Sequence, residues 1–325
     1  MSATELPAEL EALIRRYPLP GDFRLTECLA ERTTLPGLEV EAVGLVASSP
    51  DGRSAWGSAG ERGVPPFERA FYELVERVTV LEASRAADLP VFPRAPPNAS
   101  YAYSRSSGVA AGPDFASACR AARAELVERD RFLRSWYGET VPEPIELSND
   151  PAWEALAPFY DLRAYAFPGQ PNVPTDFDVV SVFGFPKVAR APLVYGFGAD
   201  TWRERALRRA ANEMLQRWAF LWGEAIPERA PAFSTTADYH QEFYLWPAMH
   251  TRLRAWLAGA HAEGAPTIEQ RRPEADVPEF VELGRTGELS VARALARSEL
   301  PLVFGCGHPD APRHAHEPYL VHPFV

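Results

Sequence analysis

Apolar residues recur at helical spacing in several stretches of the chain, and strand-like runs lie between them. Leu6–Tyr17 reads as a short amphipathic helix. From Arg24 the pattern changes: Leu38-Glu-Val-Glu-Ala-Val-Gly-Leu-Val-Ala47 predicts a strand, and Ser49-Pro-Asp-Gly52 supplies the turn chemistry after it. Pro65-Pro66 opens a helix, because proline is tolerated in a first turn, where its missing N–H would be unpaired anyway. A proline-rich loop follows at Pro90–Asn98, then a helix over about Pro113–Tyr137. Strands are expected at Asp161–Ala166 and Asp178–Gly184, helices at about Asp200–Gly223 and Pro247–Ala260, and a last strand at Leu300–Phe304. Helices and strands are mixed throughout, and no linker divides them. The expectation is therefore a mixed α/β fold in one domain over residues 1–325, with residues 1–40 as its lead-in.

An internal echo adds more than the elements do. Glu73-Leu-Val-Glu-Arg77 recurs verbatim as Glu125-Leu-Val-Glu-Arg129, and Glu213-Met-Leu-Gln-Arg217 keeps the spacing. All three fall on predicted helices behind a glycine-containing segment, which points to internally duplicated helix–sheet halves. On the second of these helices, Glu125 and Glu128 share a face with Ala118, Ala121, Ala122, Phe132 and Trp136. That is a packed face, and an unpaired carboxylate buried there would cost several kcal/mol or hold its proton. Ala206, Ala210 and Phe220 flank Glu213 and Gln216 in the same way. On the first helix the apolar stripe Phe71, Leu74, Val75 and Val78 lies opposite Glu73 and Glu76, which alone would suit a surface helix.

Two readings fit these acids. In one, Arg77, Arg129 and Arg217 at i+4 pair with them and the network is structural. In the other, carboxylates and an amide oxygen converge on a hard cation such as Mg²⁺, normally shared between a few carboxylates and phosphates, while arginines grip the phosphates. No glycine loop ending in Gly-Lys-Ser/Thr is present, so a nucleotide site would have to be built this way.

Composition narrows the choice. The net charge is −11, and Lys187 is the one lysine among 33 basic residues. Without a basic run to neutralise phosphates, nucleic acid is a poor partner. Cys28, Cys119 and Cys306 lie too far apart in the chain for a Cys-x-x-Cys site and read as reduced cytoplasmic thiols. Glu5, Glu9 and Glu11 interrupt the N-terminus, so it is not a signal peptide. No run of about 18 apolar residues occurs, so no membrane partner is expected. A cytoplasmic protein is the expectation.

At this point the motifs converge on a known family. Ser106-Ser-Gly-Val-Ala-Ala-Gly112, leading into Glu125-Leu-Val-Glu-Arg-Asp130, resembles the signature turn and helix of the YcaO family. Gly60-Glu-Arg-Gly63 with Ala70-Phe-Tyr-Glu-Leu-Val-Glu-Arg77 resembles its first loop and helix. Gly196-Phe-Gly-Ala-Asp200 with Ala206–Gln216 is similar to its Gly-x-Gly segment and Glu-x-x-Gln helix. Asp238–Tyr244 and Val321–Val325 also look like family features, and the match runs over about residues 40–325. The resemblance implies ATP and Mg²⁺ as cofactors. Glu73, Glu76, Glu125 and Glu128 would hold the metals, Glu213 and Gln216 would complete the site, and Arg62, Arg69, Arg77 and Arg129 would contact phosphate. The sequence departs from the family where Arg69 replaces a frequent serine and Ser107 an asparagine. Its end also lacks the Pro-x-Pro-x-Pro tail of azoline-forming members.

The implied activity is activation of a peptide backbone amide during maturation of a ribosomally made peptide. A Cys, Ser or Thr side chain attacks the carbonyl, and the oxyanion is phosphorylated. Loss of phosphate leaves an azoline, or a thioamide or amidine where the nucleophile comes from outside. His240 is the candidate general base, weighed against a structural hydrogen-bonding role beside Tyr239. His308, His314, His316 and His322 cluster near the tail without a zinc spacing and read as a surface loop. With about 40 residues ahead of the family match, a separate leader-peptide-binding partner is expected beside the precursor peptide, in a homodimer or a hetero-complex. Rival readings are a non-catalytic scaffold of the same fold and an unrelated Mg²⁺-dependent phosphatase or nuclease.

Overall fold

The computed structural model describes residues 6–85, 92–147, 149–169, 176–259, 277–305 and 321–324. The chain opens with helix α1 (Ala8–Arg16), strands β1 (Arg24–Leu35), β2 (Leu38–Ser48) and β3 (Ser54–Arg62), and helix α2 (Phe67–Ala83). Strands β4 (Tyr101–Tyr103) and β5 (Val109–Gly112) lead into the long helix α3 (Phe115–Trp136). Next come β6 (Glu143–Ile145), α4 (Pro151–Leu156), β7 (Tyr160–Ala166), β8 (Asp178–Pro186) and β9 (Val194–Asp200), then helix α5 (Arg203–Leu221). Helix α6 (Ala237–Leu245), a 3₁₀ turn at Pro247–Met249, α7 (His250–Leu257), β10 (Glu279–Thr286), β11 (Leu289–Leu295) and β12 (Val303–Gly305) complete the described chain.

The fold is mixed α/β, as the pattern predicts, and its strands pair antiparallel throughout the described residues. The sheets run in the orders β1-β2-β3, β10-β11-β5, β12-β4 and β6-β7-β8-β9. Helix starts follow local chemistry. Asp114 caps α3 by accepting from the Ser117 N–H, and Thr236 caps α6 by accepting from Tyr239, each satisfying an amide that the first turn leaves unpaired.

The sequence repeat is realised as three helix-on-strand units in a ring. Helix α2 packs on β3 and reaches β5; α3 packs on β5 and β11 and reaches β9; α5 packs on β9 and reaches β3. The first and third units share their two closest strand–helix contacts. A Cβ on Gly57 would lie 2.4 Å from the Ala70 carbonyl and the Leu74 nitrogen; one on Gly196 would lie 2.2 Å from the Ala210 carbonyl and 2.4 Å from the Met214 nitrogen. Only glycine lets strand and helix backbones approach so closely.

Between the units, Phe132, Phe167, Phe183, Phe197 and Trp256 form an aromatic core, closed by Phe324, which stacks on Phe197 at 4.7 Å. Each fully buried phenylalanine here contributes roughly 2 kcal/mol by leaving water. His240 and His322 anchor the same end of the chain. The His240 Nδ1–H donates to the His322 carbonyl at 2.9 Å, and the His322 Nε2–H donates to the Val303 carbonyl at 2.8 Å.

Candidate functional site

The three repeat helices meet at a cavity of about 910 Å³. Each sends a carboxylate into it: Glu73 from α2, Glu125 and Glu128 from α3, and Glu213 from α5, joined by Gln216. The strands under the helices fix these side chains. The Ser58 N–H donates to Glu73 at 2.7 Å, the residue after Gly57, and the Phe197 N–H donates to Glu213 at 2.9 Å, the residue after Gly196. Gln216 then crosses between units, its Nε2 donating to the Ser58 hydroxyl at 2.9 Å.

The acids are held against their own charge. Burial raises Glu125 to about 7 despite the pull of Arg129, whose Nη2 pairs with its Oε1. Its other oxygen, Oε2, is buried without a hydrogen bond. Glu128 is raised well above the carboxylate range by burial and then by repulsion from Glu213 and Glu125. Glu213 is raised by burial as well, with Arg217 and the Phe197 N–H opposing. A cluster of this kind holds protons until a cation takes their place.

Of the residues singled out in the sequence, Glu73, Glu125, Glu128, Glu213, Gln216, Arg69 and Arg77 line the cavity. Four do not. Glu76 turns toward β5 and accepts the Ala111 N–H at 2.6 Å; burial lifts it to about 8. That face of α2 is therefore packed, not solvated as its stripe alone implied. Arg62 is engaged by Asp150 at 2.6 Å. Arg129 sits behind Glu125, with its Nε and Nη1 unpartnered and its guanidinium 5.6 Å from the Phe324 ring. His240 is fully buried, and both ring nitrogens are used, Nε2 accepting the Gly305 N–H at 2.9 Å. Burial lowers its pKa to about 2, and it is not among the residues that line this cavity. Its helix neighbours Asp238 and Gln241 line the cavity instead. Of the tail histidines, His322 is buried and bonded to Val303 rather than on a surface loop; His308, His314 and His316 lie outside the described residues.

Sequence reasoning passed over Arg209, although Arg209-Ala-Ala-Asn-Glu213 repeats the Arg-Ala-x-x-Glu of Arg69–Glu73. Arg209 lines the cavity and pairs with Asp200 at 3.2 Å, while Arg217 lies 4.1 Å over the Tyr195 ring. Trp56, Phe220 and Leu221 also line the cavity, and no motif announced them.

Oxygen donors with raised pKa values, one of them an orphaned buried oxygen, suit a hard cation. No three acidic, histidine or cysteine side chains among the described residues come close enough to enclose a metal by themselves. The donor set therefore fits an ion that brings further oxygen ligands with it, as a metal–phosphate complex does.

Comparison with known proteins agrees with this geometry. Over residues 69–294 the chain matches the family described as YcaO cyclodehydratase, ATP- and Mg²⁺-binding. Among solved structures, YcaO from Methanopyrus kandleri bound with AMPPCP and Mg²⁺ superposes with a TM-score of 0.56 at 16% identity, covering 90% of each chain. The E. coli microcin synthetase McbBCD complex gives 0.55 at 11% identity over 83% of this chain and 87% of that one. A heterocyclase in complex with substrate and cofactor gives 0.51 at 15% identity, covering 88% of this chain and 51% of that one. The curated proteins contain no match. At these identities the superpositions establish the fold, and the match over most of the chain establishes more: this protein belongs to the YcaO family.

Proposed function

We propose that the chain binds ATP with Mg²⁺ in the 910 Å³ cavity and activates a peptide backbone amide, as an enzyme of ribosomal peptide maturation. The observation that carries this is the convergence of four carboxylates from three helices, one with an unpaired buried oxygen, on a cavity also lined by Arg69, Arg77, Arg209 and Arg217. Glu73, Glu125, Glu128 and Glu213 would hold the metal. Bound there, Mg·ATP supplies the phosphoryl group that converts the amide oxygen into a leaving group.

The residues of the chain do the positioning. The Ser58 and Phe197 amides fix the rotamers of Glu73 and Glu213, so these acids are pre-oriented. The cavity-lining arginines offset negative charge where a phosphoryl group would move. Arg129 neutralises Glu125 from behind and so tunes how readily that acid gives up its proton. Asp238 and Gln241, on the first turns of α6, add polar groups to the cavity wall.

Cyclodehydration of Cys, Ser or Thr to an azoline is the reaction we favour, with a separate leader-binding protein. The fold likeness to a heterocyclase and to a multiprotein synthetase supports this choice. The first test is calorimetric titration of wild type and Glu125→Gln with Mg·ATP. Binding should be lost or much weakened in the variant; equal affinity in both would remove Glu125 from the metal site. The second is mass spectrometry of a leader-bearing precursor with and without the partner. Loss of one water marks an azoline and exchange of oxygen for sulfur a thioamide; rapid modification of leaderless peptide by this chain alone would count against the partner.

A further inference from the structure

One large side chain of the cavity wall has no role in the chemistry above. Trp56 on β3 lines the cavity, as do the apolar Phe220 and Leu221 of α5 beside the carboxylates and arginines. Trp56 is 37% exposed although its sheet packs against two helices, and it is among the residues that line the cavity.

Its orientation is set by a missing side chain. In the β2–β3 ladder Trp56 lies opposite Val46, and Gly44 lies opposite Ser58, so Trp56 and Gly44 are diagonal neighbours. A Cβ on Gly44 would come within 2.7 Å of the indole Cζ2, so the ring lies over the bare Gly44 backbone and leans toward Ser58. The ring is thus packed on strand β2 while the residue lines the cavity. Trp56 and Ser58 are two residues apart on one face of a strand, about 6.8 Å by strand geometry. Ser58 is the residue whose amide holds Glu73 and whose hydroxyl holds Gln216. An aromatic side chain therefore stands two residues along the strand from the one that holds Glu73 and Gln216.

We propose that Trp56 is the nucleobase platform of this cavity: the base of the bound nucleotide stacks on the open indole face, with the triphosphate directed toward the carboxylates. This rests on the ATP-site reading given above. An open indole in a concave wall is the surface on which a heteroaromatic ring gains most, because stacking requires no matched hydrogen bonds.

The test separates base from phosphate. With Mg²⁺ present, ATP and inorganic tripolyphosphate are titrated calorimetrically into wild type, Trp56→Ala and Trp56→Phe, each first checked by thermal melting. Trp56→Ala should weaken ATP binding roughly tenfold and leave tripolyphosphate unchanged, since base–aromatic stacking is worth about 1–3 kcal/mol. Trp56→Phe should keep most of the affinity, while losing any ATP-induced quenching of tryptophan emission seen in wild type. Equal weakening of both ligands, or of neither, overturns the platform while leaving the nucleotide site standing. Failure of wild type to bind either ligand overturns the nucleotide reading itself. A Trp56→Ala defect confined to the KM for peptide would assign the indole to the peptide instead.

Discussion

Gln216 of α5 donates to the hydroxyl of Ser58 on β3, 2.9 Å away, and thereby ties the third repeat unit to the first. The Ser58 amide in turn holds Glu73. Gln216→Ala removes one polar contact worth about 1 kcal/mol and frees the strand residue that orients Glu73. Affinity for Mg·ATP is expected to fall several-fold with little change in melting temperature. An unaltered affinity by calorimetry would show that Gln216 plays no part in arranging the site.

Glu125 and Glu128 should separate structure from binding. Glu128 has no hydrogen bond among the described residues and is repelled by Glu213 and Glu125, so Glu128→Gln relieves an unfavourable arrangement. It is expected to melt at the same or a higher temperature without ligand and to gain nothing from saturating Mg·ATP. Glu125→Gln weakens the pair with Arg129 but also removes a carboxyl that burial raises to about 7, so its ligand-free melting temperature is expected to change little while the gain from Mg·ATP is lost. Paired thermal melts with and without Mg·ATP read both. A loss of about 3 kcal/mol in either ligand-free variant would mark that glutamate as a member of a structural ion pair.

The same acids give the ligand-free protein a pH dependence of definite sign. Burial raises Glu76 to about 8 and Glu125 to about 7 from the ordinary 4.5. Below 4.5 both are neutral in folded and unfolded chain alike, and their contribution to stability is fully present. As pH rises the unfolded chain ionises first, so that contribution is lost through about 7 for Glu125 and about 8 for Glu76. The melting temperature should fall from about pH 5 to about pH 8 without ligand, and Mg·ATP should bind more weakly at the acid end, where protons must be displaced. A melting temperature that rises over this range would contradict the burial of these carboxyls.

His240 is expected to behave as a structural residue. Its two nitrogens join the His322 carbonyl to the Gly305 amide inside the aromatic end of the fold. His240→Ala leaves both backbone groups unsatisfied and should cost about 2–4 kcal/mol. Mg·ATP affinity below the variant's melting temperature should be that of wild type, and the pH profile of ATP turnover should keep its shape. A flattened profile in a stably folded variant would restore His240 as a base.

Much of the frame was legible in the chain. Helices α2, α3 and α5 lie where periodicity put them, and the Glu-x-x-Glu/Gln spacing marked the helices that build the cavity. Strand β9, by contrast, was visible only as a glycine motif, because Gly196 and Gly198 serve helix contact and leave no alternating pattern to read. Helix α6 was missed for another reason: Tyr239, His240, Phe243 and Tyr244 form one buried face, but nine residues give it only two turns and a histidine interrupts its apolar character, so the stripe is too short and too mixed to read. Helical phase alone does not say which acid turns inward. Glu73 and Glu76 are adjacent on one face, yet one lines the cavity and the other is claimed by a strand amide of the next unit.

That last contact has a consequence for how the molecule opens. The amides of Ser58, Ala111 and Phe197 belong to three different sheets, and each is shielded by a carboxylate from a helix of the ring. Helix α2 cannot lift away without releasing amides of two units, and α5 cannot without releasing that of Phe197, whereas α3 holds none of the three. The Ser58 and Ala111 protons, both held from α2, should exchange with solvent together and be slowed together when the cavity is filled, so that strands of two sheets feel the motion of one helix.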